Sequence, residues 1–318
     1  MHPALSVIFF TTLSGAGYGL LAWTGISIAL LSLRGGLAPA LEGVQVAGLA
    51  LGLLLSTIGL LCSLAHLGKP GRAWRALSQW RTSWLSREGV LALLTAPPVL
   101  AAAAVLLWMP AGATRAAWLA SLGLALAVLA LATVACTSMV YASLKPIPAW
   151  RHPLVVPVYL LFALLTGLAL QFVLMTAMLR AQGSATMMIT LAMLGAMLAA
   201  LKWLYWYEIG RATPPFTRGA AIGLPRRDAQ VFERPHTEAN YITREMAFTV
   251  ARRHALKLRI AATAGLLLVP LLAALLLSTG LVSPLVALLL ATVGMLAGAF
   301  VERWLFFAEA RHLVTAYY

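Results

Sequence analysis

What most constrains this chain is a series of apolar runs, each about as long as a helix needs to cross a bilayer. A spanning helix takes about 20 mostly apolar residues. Eight stretches reach that length: 4–33, 41–65, 88–109, 116–143, 153–179, 184–207, 258–279 and 283–308. Breakers separate them, among them Gly35 and Gly36, Pro70, Pro110, Pro146 and Pro148, Gly183, Pro214 and Pro215, and Gly280 with Pro284. Pro97, Pro98, Pro157 and Pro270 fall inside runs, where neighbouring helices can satisfy the carbonyls they free. A transmembrane barrel would instead show segments of about ten residues alternating apolar and polar. The expected fold is therefore an all-α membrane protein. It is a single domain over 1–318, a bundle of eight transmembrane helices with long cytoplasmic loops containing short amphipathic helices. Small residues four apart (Gly15 and Gly19, Gly48 and Gly52, Gly294 and Gly298) point to close helix packing.

Charge gives the orientation. The formal net charge is +14. In a soluble protein that excess would suggest nucleic acid, but in a chain of apolar spans it reads as the positive-inside bias of membrane loops. Arg34, Arg115 and Arg180 fall on one side, and the other 20 of the 23 Lys and Arg fall on the side that also holds both termini. Both termini are therefore expected in the cytoplasm, and no nucleic-acid partner is expected. Met1-His2-Pro3 lacks a basic cluster and the run that follows is too long for a signal peptide, so none is expected.

The long basic-side loops carry the information. After the second run, Trp74, Leu77, Trp80 and Trp84 recur at spacings of three, three and four, which would share a helical face among Arg72, Arg75, Arg81 and Arg87. Two readings stand: an interfacial anchor with Trp at the headgroups, or aromatic walls for a flat apolar ring. Residues 210–257 form the longest stretch without a span. Its part 236–254 looks helical, with Thr237 and Asn240 placed as a weak cap, and mixes Tyr241, Met246 and Phe248 with Arg244, Glu245, Arg252 and Arg253. That surface suits docking of a soluble partner, or attraction to anionic lipid heads.

The chain offers few cofactor ligands. Cys62 and Cys136 are too few for a disulfide framework or a four-cysteine cluster. The six histidines all lie in or beside basic-side loops, which leaves none for a haem in the bundle core. No metal site and no phosphate or dinucleotide loop is recognisable. Gln171 is the clearest polar side chain deep in a run, and Glu42, Glu88, Glu208, Glu302 and Glu309 sit near run ends, which argues against a deep proton path. His66 ends the second run beside the Trp/Arg loop. It reads either as an interfacial cap or as an imidazole able to bond a quinone carbonyl and exchange its proton.

Four segments carry a resemblance: residues 2–13 (HPALSVIFFTTL), 64–88 (LAHLGKPGRAWRALSQWRTSWLSRE), 236–241 (HTEANY) and 302–312 (ERWLFFAEARH). They resemble the membrane anchor subunits of the dimethyl sulfoxide reductase type, most of all the anchor of cytoplasmic, membrane-bound sulfite dehydrogenase. The resemblance covers nearly the whole chain, and its most specific part is the Trp/Arg loop. It implies an eight-helix anchor in a bacterial inner membrane, without haem or iron–sulfur cluster of its own. Its partners would be membrane lipids, an iron–sulfur subunit with four clusters and, through it, a molybdopterin catalytic subunit. It would exchange electrons with ubiquinone or menaquinone. In the family a histidine at the end of the second helix is tied to quinol chemistry, and His66 matches that position. The resulting expectation is a quinone near the basic-side ends of helices one, two, three and six, with His66 as proton partner. Trp74, Trp80, Trp84, Trp203 and Tyr207 would wall the site, Arg72, Arg75 and Arg87 would position the ring, and Arg81, Tyr241, Arg244, Arg252 and Arg253 would dock the partner. Two other readings remain: an anchor that oxidises quinol for a sulfoxide or related reductase, and a secondary transporter, which would place ionisable groups at the midplane.

Overall fold

The computed structural model describes residues 4–34, 37–65, 67–180, 184–211, 218–224, 229–230, 232–233 and 254–313. Among these residues there is no strand, and eight helices are long and apolar enough to cross a membrane. They are α1 (Leu5–Leu33), α2 (Pro39–Leu64), α3 (Trp84–Trp108), α4 (Ala113–Ala142), α5 (Val155–Leu179), α6 (Ser184–Arg211), α7 (Ala255–Ser278) and α8 (Pro284–Ala308). A 3-10 helix, Pro70–Gln79, joins α2 to α3, and a single helical turn, Arg218–Ala221, follows α6.

α1 is the axis of the bundle. It is apolar around most of its circumference and packs against α2, α4, α5 and α8. Small residues set those approaches, since lipid gives no hydrophobic drive to pull helices together. A methyl on Gly19 would run into the Ala163 carbonyl of α5, and one on Gly167 into the Gly19 backbone. On the α4 side, a Cβ at Gly25 would stand 2.6 Å from the Gly123 oxygen. Gly48 and Gly52 fit against Thr24 and Leu21, and Gly294 and Gly298 against α7. Gly15 does not share this role, because a Cβ there would meet nothing within 4 Å.

α5, α6, α7 and α8 form a second packed group around Phe162, Leu191, Leu266 and Met295. α7 widens into a π turn at Ala264–Leu268. Pro270 lacks the N–H that would bond the Leu266 carbonyl, and the wider turn accommodates that loss. At the end away from the basic loops, buried Arg115 at the start of α4 donates to Glu42 of α2 (2.9 Å) and to the Leu106 carbonyl of α3 (2.8 Å), clasping three helices. Gln171 accepts from Thr24 (3.0 Å), so the polar group read deep in α5 is satisfied by α1.

Candidate functional site

At the basic end, α2 packs on α1 and α3 on α4, while α2 and α3 touch each other only lightly. The segment between them departs from the expected α-helical face. Pro70 opens a 3-10 helix, on which Ala73, Ala76 and Leu77 face the bundle while Trp74 and Trp80 are exposed. Leu77 presses over Gly89 of α3, where a Cβ would come within 2.8 Å of it. The Ser86 hydroxyl donates to the Ala76 carbonyl. Arg87 donates to the carbonyls of Trp80 (3.0 Å) and Arg81 (2.7 Å), with its guanidinium 4.3 Å from the Trp84 ring centroid. These bonds fasten the loop to the first turns of α3. α3 itself begins at Trp84, capped by Ser83, so Glu88 stands inside the helix.

Beneath this cover lies a cavity of about 800 Å³, within the roughly 300–1,000 Å³ usual for small-molecule sites. Its walls are mostly apolar: Val7 and Phe10 of α1, Leu60, Leu61 and Leu64 of α2, Leu77, Leu85, and Tyr141, Trp150 and Phe307 at its inner end. The inner end is rigid. Trp150 donates to the Phe306 carbonyl (2.9 Å), and Tyr141 meets Trp150, Phe306 and Phe307 edge-on. Lys69 and Arg72 are exposed lining groups, and Glu88 is the buried one, 4% exposed.

Thr137 of α4 holds Glu88 in place. Its hydroxyl lies 2.6 Å from Glu88 Oε1 and 3.1 Å from the Thr133 carbonyl. A hydroxyl has one proton and can also accept. When Glu88 is ionised, Thr137 donates to it. When Glu88 is protonated, it donates to Thr137, which turns its own proton to Thr133. Both protonation states are therefore satisfied, and the carboxyl can give up and regain a proton without moving.

Of the residues expected to wall or position a ring, Arg72 lines this cavity. Trp84 and Arg87 stand at the root of its cover. Trp74 (67% exposed) and Trp80 (54%) face outward, with Arg75 and Arg81 stacked against them (5.6 Å each). Trp203 and Tyr207 belong to α6, which contributes no described residue to the cavity. Trp203 bonds Thr263 of α7 (3.1 Å), and Arg211 covers the Tyr207 ring. His66, Tyr241, Arg244, Arg252 and Arg253, the expected cap at Thr237 and Asn240, and most of the loop 210–257 lie outside the described residues. Sequence reasoning misses the place of Glu88 in the cavity, although its position four residues into α3, facing α4, is the available signal.

The charge pattern of the sequence also places the charged groups at the loops. Lys202, Glu302 and Arg303 instead lie buried between α5, α6 and α8. Glu302 is paired with Lys202 Nζ (2.5 Å) and with Arg303 Nη1 (3.3 Å). Acidic groups are thus not confined to helix ends.

Residues 1–308 match the model of a family described as the DMSO reductase anchor subunit (DmsC). One of the subunits of sulfite dehydrogenase from Allochromatium vinosum is similar over its whole length. Identity is 34% over 332 aligned positions, covering 100% of this chain and 99% of that protein.

Proposed function

The chain belongs to the family of DMSO reductase anchor subunits, and from that premise we propose that it is the quinone-reactive part of its complex. It is a multi-pass membrane protein and the anchor subunit of an oxidoreductase complex. On our reading it passes electrons between a partner iron–sulfur subunit with four clusters and membrane quinone, and the partners, including a molybdopterin subunit, hold the substrate-oxidising centre. The full-length likeness to a sulfite dehydrogenase subunit favours sulfite oxidation, with quinone as acceptor. The reverse direction, quinol oxidation for a sulfoxide reductase, is the reading closest to the family's description. The basic loops favour a bacterial inner membrane with both termini and both partners on the cytoplasmic side.

The observation that carries this reading is the cavity itself. Its apolar, aromatic walls suit a flat ring with an isoprenoid tail, and the light contact between α2 and α3 leaves a side open towards lipid. Reduction of a quinone to quinol takes two electrons and two protons. Glu88 is placed to hand one proton to a ring oxygen, with Thr137 satisfying whichever form remains. His66, between the cavity-lining Leu64 and Leu67 in the chain, is the proposed donor of the other. Lys69 and Arg72 orient the ring and offset negative charge. The outward Trp74, Arg75, Trp80 and Arg81 form a basic aromatic face for the iron–sulfur subunit, to which Tyr241, Arg244, Arg252 and Arg253 add. No cluster, haem or metal in this chain is part of the proposal.

The test is turnover in the intact complex. With His66→Gln or Glu88→Gln, quinone-linked turnover should fall on the order of 100-fold, the usual contribution of a positioned acid or base. Turnover to an artificial acceptor that takes electrons from the partner subunits should hold. Unchanged quinone-linked turnover in both variants would refute the assignment.

A further inference from the structure

A headgroup seated in the cavity would cover what remains of the exposed side of Glu88. Its other side leads to a second space. Thr137, which bonds Glu88, also lines an internal chamber of about 20 Å³ together with Thr12, Tyr159, Thr166 and Arg303. About 10–15 Å³ suffices for one water, which typically makes about three hydrogen bonds. The Tyr159 and Thr12 hydroxyls are buried and find no hydrogen-bond partner among the described residues, a costly state unless something fills the chamber.

Charged groups continue behind the chamber. The Arg303 guanidinium lies 3.5 Å from the Tyr159 ring centroid and 3.3 Å from Glu302, which pairs with Lys202. Glu302 is fully buried, six residues before the end of α8, or roughly 9 Å inside it at 1.5 Å per residue. Two cations and one anion at that depth are expensive, and intramembrane ionisable groups commonly mark proton routes. One anion further along the chain from α8, Glu309, pairs with Arg259 of α7 (2.9 Å) at the basic end and is within electrostatic range of Lys202. Burial pushes the Glu309 carboxyl up from its usual range, against the pull of Arg259. The other ionisable groups near Glu88 are its neighbour Arg87, Tyr18 of α1, Cys136 and Tyr141 of α4, and Lys69 and Arg72 across the cavity. Tyr205 of α6 completes the set around Glu302.

We propose that Thr12, Tyr159 and Arg303 hold an ordered water in this chamber, and that this water with Glu302 and Lys202 forms a rear proton route to Glu88 when quinone covers the front. The inference rests on the proposed role of Glu88. The Glu88 O–H bond breaks as the quinol O–H bond forms. Thr137 then passes its hydroxyl proton to the carboxylate and takes one from the chamber water. That water is reloaded from the Lys202–Glu302 pair, which regains its proton from solvent at the Glu309–Arg259 end. Glu302 and Lys202 act through Glu88 and are positioning and relay groups.

The test uses the intact complex in proteoliposomes with a quinone pool. Three variants are compared: Thr12→Val, Tyr159→Phe, and Lys202→Met with Glu302→Gln, which removes the pair as a unit. The expected result is quinone binding within about twofold of native, quinone-linked turnover lowered about tenfold, and a larger slowing in D2O than the native complex shows. Native turnover and native isotope sensitivity in Thr12→Val and Tyr159→Phe would overturn the route. So would turnover losses that only follow weaker quinone binding, because they would make the cluster structural. Thr12→Val is close to isosteric and keeps the test available if the double variant fails to assemble. If Glu88→Gln itself left turnover intact, the proposed role of Glu88 would fall and this route with it, and that result is separate from these.

Discussion

Replacing Gly25 by Ala should strain the crossing of α1 and α4 by a calculable amount. The added Cβ would lie 2.6 Å from the Gly123 carbonyl oxygen, where ordinary contact begins at 3.4 Å, so the two backbones must part by about 0.8 Å. A gap of 0.5–1 Å forfeits about a quarter to a half of the dispersion attraction between the surfaces it separates. The facing surfaces include Ala22, Ala29, Leu126 and Ala127, all buried. Overpacking of this kind costs about 1–3 kcal/mol. Gly15→Ala is the control, since it lies on the same helix, meets nothing within 4 Å, and gains the same helix propensity. At roughly 2 °C per kcal/mol for a chain of this size, Gly25→Ala should melt about 2–6 °C below Gly15→Ala in the purified complex. The assay is thermal unfolding in one detergent, read by intrinsic fluorescence. Equal melting temperatures would refute the claim that α1 is held at van der Waals distance by its glycines.

Other outcomes follow from the same structure. Arg115→Met leaves Glu42 and the Leu106 carbonyl without their donor and should cost about 2–3 kcal/mol, below the usual figure for a buried pair because Glu42 is partly exposed; adding Glu42→Gln should restore part of the lost melting temperature. Arg87→Ala frees the Trp80 and Arg81 carbonyls, so amide exchange should rise across Pro70–Gln79 while α5 to α8 keep native protection. Trp74→Ala with Trp80→Ala should weaken retention of the iron–sulfur subunit at least tenfold, since buried aromatic anchors dominate interface energies. Quinone binding should be preserved, and undiminished co-purification would remove that face from the interface.

The spans are legible in the sequence because their signal is long, apolar and repeated, and helix length in a bilayer has little freedom. The cavity is legible only in outline. The Trp and Arg of residues 72–87 mark the right segment, but a shared helical face puts Trp74 and Trp80 with Leu77 towards the ring, whereas Leu77 packs inward over Gly89 and both Trp are exposed. Glu88 is easily passed over because the apolar run begins at it. Ser83 starts α3 earlier and puts the carboxyl on the buried face, against Thr137, a contact 49 residues away in sequence. A charge near the end of an apolar run looks solvated, which places Lys202 and Arg303 with the loops. Their partner Glu302 is on another helix from Lys202, and the sequence carries no local trace of that pairing. Trp203 and Tyr207 point to α6 at the site, yet α6 packs on the far group of helices, where local pattern gives no indication of neighbours.

The central claim, that quinone occupies the cavity between α1 to α4, is tested most directly by photolabelling. The intact complex is illuminated with a quinone carrying a photoactivatable ring substituent, digested, and mapped by mass spectrometry, with excess native quinone as competitor. The label should appear, and be competed away, on the lining segments 57–64, 67–77, 85–89 or 140–150. Competed label confined to α6 or α7, with none on these segments, would contradict the account.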